Sequence, residues 1–198
     1  MFLTTPDMLQ VQEIGNFHFH HINIKCFDLN MMSLKDTLTF QGSKATQLLR
    51  TQHIRTVELS EGFLDNSVEL KEFLDHIKFS IDVHFVLEEG ILFPIFRPIL
   101  QKYLEMEEPI RVIMGEHISV KRLYQAVSSP VTQEGGIDME SSDEEKTIKS
   151  GQIAKIMLQH VYKEENGLFG LVDKFMPDEK KEELERKLGQ KLRDLSQA

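Results

Sequence analysis

The chain has 198 residues, 40% of them hydrophobic and 28% charged, a balance that fits one globular domain and lies well outside the disordered regime. Its net charge of −9, with no stripe of Lys and Arg, excludes a broad nucleic-acid-binding face. No apolar run approaches the roughly 18 residues that a membrane span needs. The single cysteine, Cys26, excludes an intramolecular disulfide framework and a four-cysteine iron–sulfur site. It suits a reducing compartment, so a cytoplasmic protein is expected.

Residues 1–32 read as an irregular N-terminal extension. The stretch from Phe17 to Ile24 alternates loosely and has no helical period. It also lacks the basic start and apolar core of a secretory signal. Met31 and Met32 stand where the helical patterning begins, and either could be the native start. His18, His20 and His21 form a His-rich tract able to chelate a metal. None of them has an acidic partner at i+4, which favours reading them as part of a tail.

Helical spacing takes over at about Ser43, a suitable cap residue. Leu49, His53 and Val57 then fall at i+4 intervals. Gly62 and the run Asp65, Asn66, Ser67 predict a break, with Ser67 or Asn66 capping the next helix. That helix carries Phe73, Ile77, Ile81, His84, Glu88, Ile91 and Ile95 at the period of a bundle seam. Pro94 and Pro98 are expected to disturb or end it. A third helix from about Pro109 sets Ile110, Ile113, His117, Val120, Tyr124 and Val127 on one face. Ser128 to Ser142 is loop by composition. A fourth helix from about Asp143 carries Ile153, Met157, His160, Glu164, Leu168 and Leu171. A last amphipathic helix from about Asp178 shows Leu184, Leu188, Leu192 and Leu195 among dense charges. It would pack on the bundle or on a partner subunit, and so could make a homo-oligomer. The expected fold is all-α: an up-down four-helix bundle over residues 33–176, with an extra C-terminal helix over 177–198.

One pattern occurs twice. His84, Glu88, Glu89, Leu92 and Phe93 recur at the same offsets as His160, Glu164, Glu165, Leu168 and Phe169. Residues i and i+4 of a helix lie one above the other, so each copy aims an imidazole and a carboxylate at one place. Two His and two Glu from paired helices suit iron or a similar first-row metal. A lone seam histidine such as His53 or His117 is ordinarily a hydrogen-bonded core residue. Two unpaired carboxylates in the same seam would cost several kcal/mol each (roughly) unless a cation sits among them. Glu89 and Glu165 lie about 100° around each helix from Glu88 and Glu164. They read as supporting or surface groups, with Glu165 an alternative to Glu164 under a looser geometry. His76, two turns before His84, falls outside the site.

His53, the His84/Glu88/Glu89 copy, Glu116-His117 and the His160/Glu164/Glu165 copy resemble, in order over about residues 43–176, the hemerythrin-like HHE cation-binding family. The resemblance implies a non-haem di-iron centre held by His53, His84, Glu88, His117, His160 and Glu164, with manganese or a mixed pair as the lesser alternatives. It further implies a protein that binds O2 or NO, or senses or stores iron. The rival is a di-iron redox enzyme that reduces peroxide or nitric oxide with a redox partner, or a factor that repairs iron–sulfur clusters. All would use the same six ligands. One departure concerns the third helix. Oxygen carriers of the family place a second His one turn from the first, and this chain has Lys121 there and Ile113 on the other side.

Overall fold

The computed structural model describes residues 34–105, 107–128 and 142–197, all within the unit Met32–Ala198. The expectations for residues 1–32, the histidine tract and alternative start included, lie outside the described residues, as does most of the loop expected between Ser128 and Ser142. Among the described residues every regular element is helical. A single turn, α1 (Leu34–Thr37), precedes α2 (Lys44–Leu64). The third rod, α3, runs without a break through Leu70–Phe79, a π turn at Ser80–His84, Phe85–Leu87, a second π turn at Glu88–Leu92, and Phe93–Leu104. Next come α4 (Glu108–Ser128), then α5, built from Asp143–Lys163, a π turn at Glu164–Leu168 and Phe169–Phe175, and finally α6 (Asp178–Leu195).

Local chemistry sets the ends. Ser43 precedes α2 in extended conformation, but its N–H and hydroxyl both bond Asp173 at the end of α5. Ser142 caps α5 by accepting the Glu145 N–H at 3.1 Å, and Asp143, Glu144 and Glu145 suit the positive end of the helix dipole. Between α2 and α3 the expected capping is not what forms. Asn66 takes a left-handed φ of 64°, and the Ser67 N–H turns back to the Gly62 carbonyl at 2.8 Å. Both residues are thus used to close α2, and α3 begins after Glu69. A Cβ on Gly62 would meet Val68 Cγ2 at 2.5 Å, so glycine is required where the chain doubles back.

Of the two outcomes expected at Pro94 and Pro98, a disturbed helix or an ended one, the structure shows a disturbance before Pro94 and no end at either. The Phe93 N–H reaches back five residues to the Glu88 carbonyl, closing the wide π turn just before Pro94. Pro94 therefore stands at the start of a fresh α segment, where a missing N–H is tolerated. Pro98 lies inside that segment, and the helix continues to Leu104, where Glu105 turns left-handed and stops it.

Helix α2 packs on α3 and α5, and α4 packs on the same two rods, closing a ring of four. Two apolar clusters fill it. Leu49 of α2, Leu92 and Phe93 of α3, Ile113 of α4 and Leu168 and Phe169 of α5 share one cluster. Leu59, Ile77 and Phe85, Val120 and Met157 share the other. On α2, α4 and α5 the imidazole and carboxylate residues of the seam fall between the two. On α3 the clusters meet at Phe85 and Leu87, with His84 and Glu88 on either side of them. Leu184 and Leu188 of α6 are fully buried in the first cluster, against α2 and the second π turn of α3. No partner subunit is needed to cover them.

Candidate metal centre

A polar layer takes His53 from α2, His84 and Glu88 from α3, His117 from α4, and His160 and Glu164 from α5. All six are at most 3% exposed. Their donor atoms fall into two groups, each within 4.8 Å: His53, His84, His160 and Glu164 in one, and Glu88, His117 and His160 in the other. The six residues named from the sequence are therefore brought together, and His160 belongs to both groups. His76 stands apart, with its Nε2 3.0 Å from Thr56 Oγ1.

The two carboxylates span the groups. Glu88 Oε1 lies 3.4 Å from His84 Nε2, and its Oε2 lies 3.2 Å from His117 Nε2. Glu164 Oε2 is 3.0 Å from His53 Nε2, 3.3 Å from His160 Nε2 and 3.8 Å from His84 Nε2. Glu165 does not take the place of Glu164. It sits behind His53, on the side away from the cluster.

Among the described residues, neither oxygen of Glu88 or of Glu164 has a hydrogen-bond partner, nor has Nε2 of His117 or either ring nitrogen of His160. Each orphaned buried polar atom costs about 1–3 kcal/mol, more when it is charged. A cation among them would satisfy the oxygens and nitrogens together. The donors, imidazole nitrogen and carboxylate oxygen, are those that suit iron or a similar first-row metal. On this observation the residues fit a metal.

A second set of contacts aims the rings. Each imidazole turns Nε2 inward, and three of the four bond an acceptor through Nδ1. His53 Nδ1 lies 2.7 Å from Glu165, His84 Nδ1 2.7 Å from Gln52, and His117 Nδ1 2.8 Å from Glu89. His160 Nδ1 lies 3.5 Å from Glu116 without making a hydrogen bond. Such outer partners fix the tautomer of a metal-binding imidazole and raise its basicity. The three carboxylates are themselves paired with Arg50, Lys121 and Lys163. Rings complete the support: Phe169 stacks on His53 at 5.3 Å and Phe85 on His117 at 3.7 Å.

The sequence reading missed Gln52, Arg50 and Lys163. Only the recurrence of the second glutamate, Glu89 in one copy and Glu165 in the other, signalled such a layer. The π turns were missed as well, although Glu88 and Glu164 each open one. Turns of this kind occur often at functional sites.

Charge in the layer follows from burial and pairing. Burial disfavours the charged form of His53, but Glu164 and Glu165 on its two nitrogens outweigh that and raise its pKa to about 9. His117, buried between Glu88 and Glu89, is likewise raised to about 9. Burial dominates at His84 and lowers it to about 3. Glu88 is held below the ordinary carboxylate range despite its burial, chiefly by His117.

A helical chain with a buried, orphaned set of imidazoles and carboxylates has the makings of a metal-binding protein. Residues 44–172 match the hemerythrin HHE cation-binding domain, and the chain belongs to that family. Neither the curated proteins nor the solved structures contain a significant match. Among the described residues, no helix is long and apolar enough to cross a membrane.

Metal uptake should be coupled to pH with a definite sign. His53 and His117 are protonated below about 9 in the metal-free chain, and a metal must displace those protons. Affinity should rise as pH climbs towards that value and level off above it. Calorimetric titration at pH 7 in buffers of different ionisation enthalpy should report release of about two protons per loaded chain. Affinity independent of pH between 6 and 9 (roughly the window set by these shifts) would contradict this charge assignment.

Proposed function

We propose that this chain is a cytoplasmic, non-haem di-iron protein of the hemerythrin type that binds O2 or NO, or senses or stores iron. The carrying observation is the buried layer in which six donor residues from four helices converge while, among the described residues, their carboxylate oxygens accept no hydrogen bond. The order of the apolar clusters supports an up-down bundle, because it reverses from each rod to the next. Bound iron would supply redox-active positions for a small diatomic ligand. His53 and His84 with Glu164 would hold one iron, and His117 and His160 with Glu88 the other. The two carboxylates would be shared between them, since each approaches imidazoles of both sets.

Lys121 bears on how such a ligand is treated. Its Nζ bonds Glu89 at 2.7 Å, behind His117, so it supports the ring and adds no donor to the centre. The described residues bring four imidazoles to the centre, which would leave positions on bound irons to small molecules. Protein purified anaerobically with iron supplied should hold about two irons per chain and absorb in the near ultraviolet once oxidised. An empty protein under those conditions would reject the reading.

The rival is a di-iron enzyme reducing peroxide or nitric oxide, or a cluster-repair factor, and Lys121, bonded to Glu89 where oxygen carriers place a ligand, favours it over a carrier. A carrier returns O2 unchanged on evacuation, whereas an enzyme consumes its ligand together with reductant. Lys121→His offers a further imidazole one turn from His117. It should slow oxidation of the ferrous protein by O2, whereas Lys121→Gln should not. Equal oxidation rates in both variants would show that the missing ligand does not set the chemistry.

A further inference from the structure

Arg50 is 3% exposed, and every arm of its guanidinium is used. Nε donates to Thr46 Oγ1 at 3.0 Å, one terminal nitrogen to Glu165, and the other to Asp173 at 3.0 Å. Its carbon lies 5.1 Å from the centre of the Phe169 ring, the same ring that stacks on His53. Gly42 closes the far side: a Cβ there would meet Arg50 Nε at 2.5 Å and Asp173 Oδ2 at 2.7 Å. The chain has no room at Gly42 because it is laid directly on the cation and carboxylate. A buried charge costs several kcal/mol (roughly) unless it is fully paired, so this one is held by a dedicated set of partners.

Its pairing reaches the centre by one route. Arg50 holds Glu165, and Glu165 holds His53 Nδ1. Lys121 and Lys163 stand in comparable places behind His117 and His160. Lys121 is 34% exposed, however, so water screens it, whereas Arg50 acts through a dry path. Asp173, 25% exposed, partly offsets the Arg50 charge from the solvent side.

We propose that Arg50 is a positioning residue whose buried charge, acting through Glu165 and His53, sets the reduction potential of the iron that His53 holds. The inference rests on the di-iron reading above. A positive charge beside a metal disfavours the ferric form, and an ionised Glu165 relieved of its partner makes His53 a stronger donor to ferric iron. Both effects have the same sign. Removing Arg50 lowers the potential, while removing the counter-charge at Asp173 raises it.

The test is the midpoint potential of the iron-loaded protein at pH 8, with metal content and melting temperature measured on the same samples. Arg50→Gln should fall by about 59 mV or more, a tenfold change in the ferrous/ferric balance for one electron. Asp173→Asn should move the other way, and Arg50→Lys should stay close to the parent. A merely structural role would loosen the site in both Arg50→Gln and Asp173→Asn and shift them in the same direction. Unchanged potentials, shifts of one sign, or Arg50→Lys falling as far as Arg50→Gln would overturn the proposal. Should Arg50→Gln fail to fold, Asp173→Asn against the parent decides alone, because the upward shift is the outcome looseness does not produce. A parent that takes up no iron would overturn the di-iron reading and this inference with it, whereas an iron-loaded parent with unmoved variants overturns this inference only.

Discussion

Glu88→Ala and Glu164→Ala should each strip most of the iron from the protein. Glu88 faces His84 with one oxygen and His117 with the other, so its loss removes a donor from both halves of the layer at once. Glu164 approaches three imidazoles, His53 and His160 more closely than His84. Glu89→Ala and Glu165→Ala act one step further out, by freeing the rings of His117 and His53. Loss of such an outer partner typically weakens metal binding by about 10–100-fold. Metal analysis after gel filtration under limiting iron should therefore rank the variants, with Glu88→Ala and Glu164→Ala lowest, Glu89→Ala and Glu165→Ala intermediate, and the parent highest. Normal iron in both Glu88→Ala and Glu164→Ala would reject the ligand assignment.

Removing the metal should lower the melting temperature on the order of 10 °C. A ligand present at a thousand times its dissociation constant stabilises by about 4 kcal/mol, and each kcal/mol is worth about 2–4 °C in a chain of this size. In the metal-free form the buried carboxylates of Glu164 and Glu88 are left facing protonated His53 and His117 at 3.0 and 3.2 Å. Glu88→Gln combined with Glu164→Gln should close the gap by abolishing metal uptake, and should also lower the melting point of the metal-free form at pH 7, because both imidazoles lose a counter-charge. Equal melting of loaded and metal-free protein would mean that this layer is not a buried metal-binding core.

The sequence carried the parts of this architecture that repeat along one helix. The spacing of Phe73, Ile77 and Ile81 marks a buried seam, and His84 with Glu88 sits on it as charged interruptions. The second copy, His160 with Glu164, made the pairing legible without coordinates. What could not be read was register between rods. Gln52 meets His84 across 32 positions and Glu165 meets His53 across 112, and no periodicity within one helix aligns such pairs. Two residues of the break after α2 misled for a related reason. Asn66 and Ser67 suit a cap on either side, and the close approach of Val68 to Gly62 decides that they finish α2. At Pro94 a rule drawn from plain α-helices met a wider turn that removes its premise.

That wider turn gives α3 a tolerance of length that a regular helix lacks. Gly90 is exposed, and a Cβ added there would meet nothing within 4 Å, so most side chains should be accepted. The turn Glu88–Leu92 holds one residue more than a regular helix needs, and a chain shortened there would relax into an ordinary turn. Leu92, Phe93 and Phe96 would keep their place in the core, because the residue lost is the one the wide turn absorbs. The cost would fall on Pro94, left in the interior of a plain helix where its ring meets the carbonyl four residues back, at about 3 kcal/mol. A residue lost from the regular stretch of α2 would instead turn everything beyond it by about 100° and part His53 from the centre.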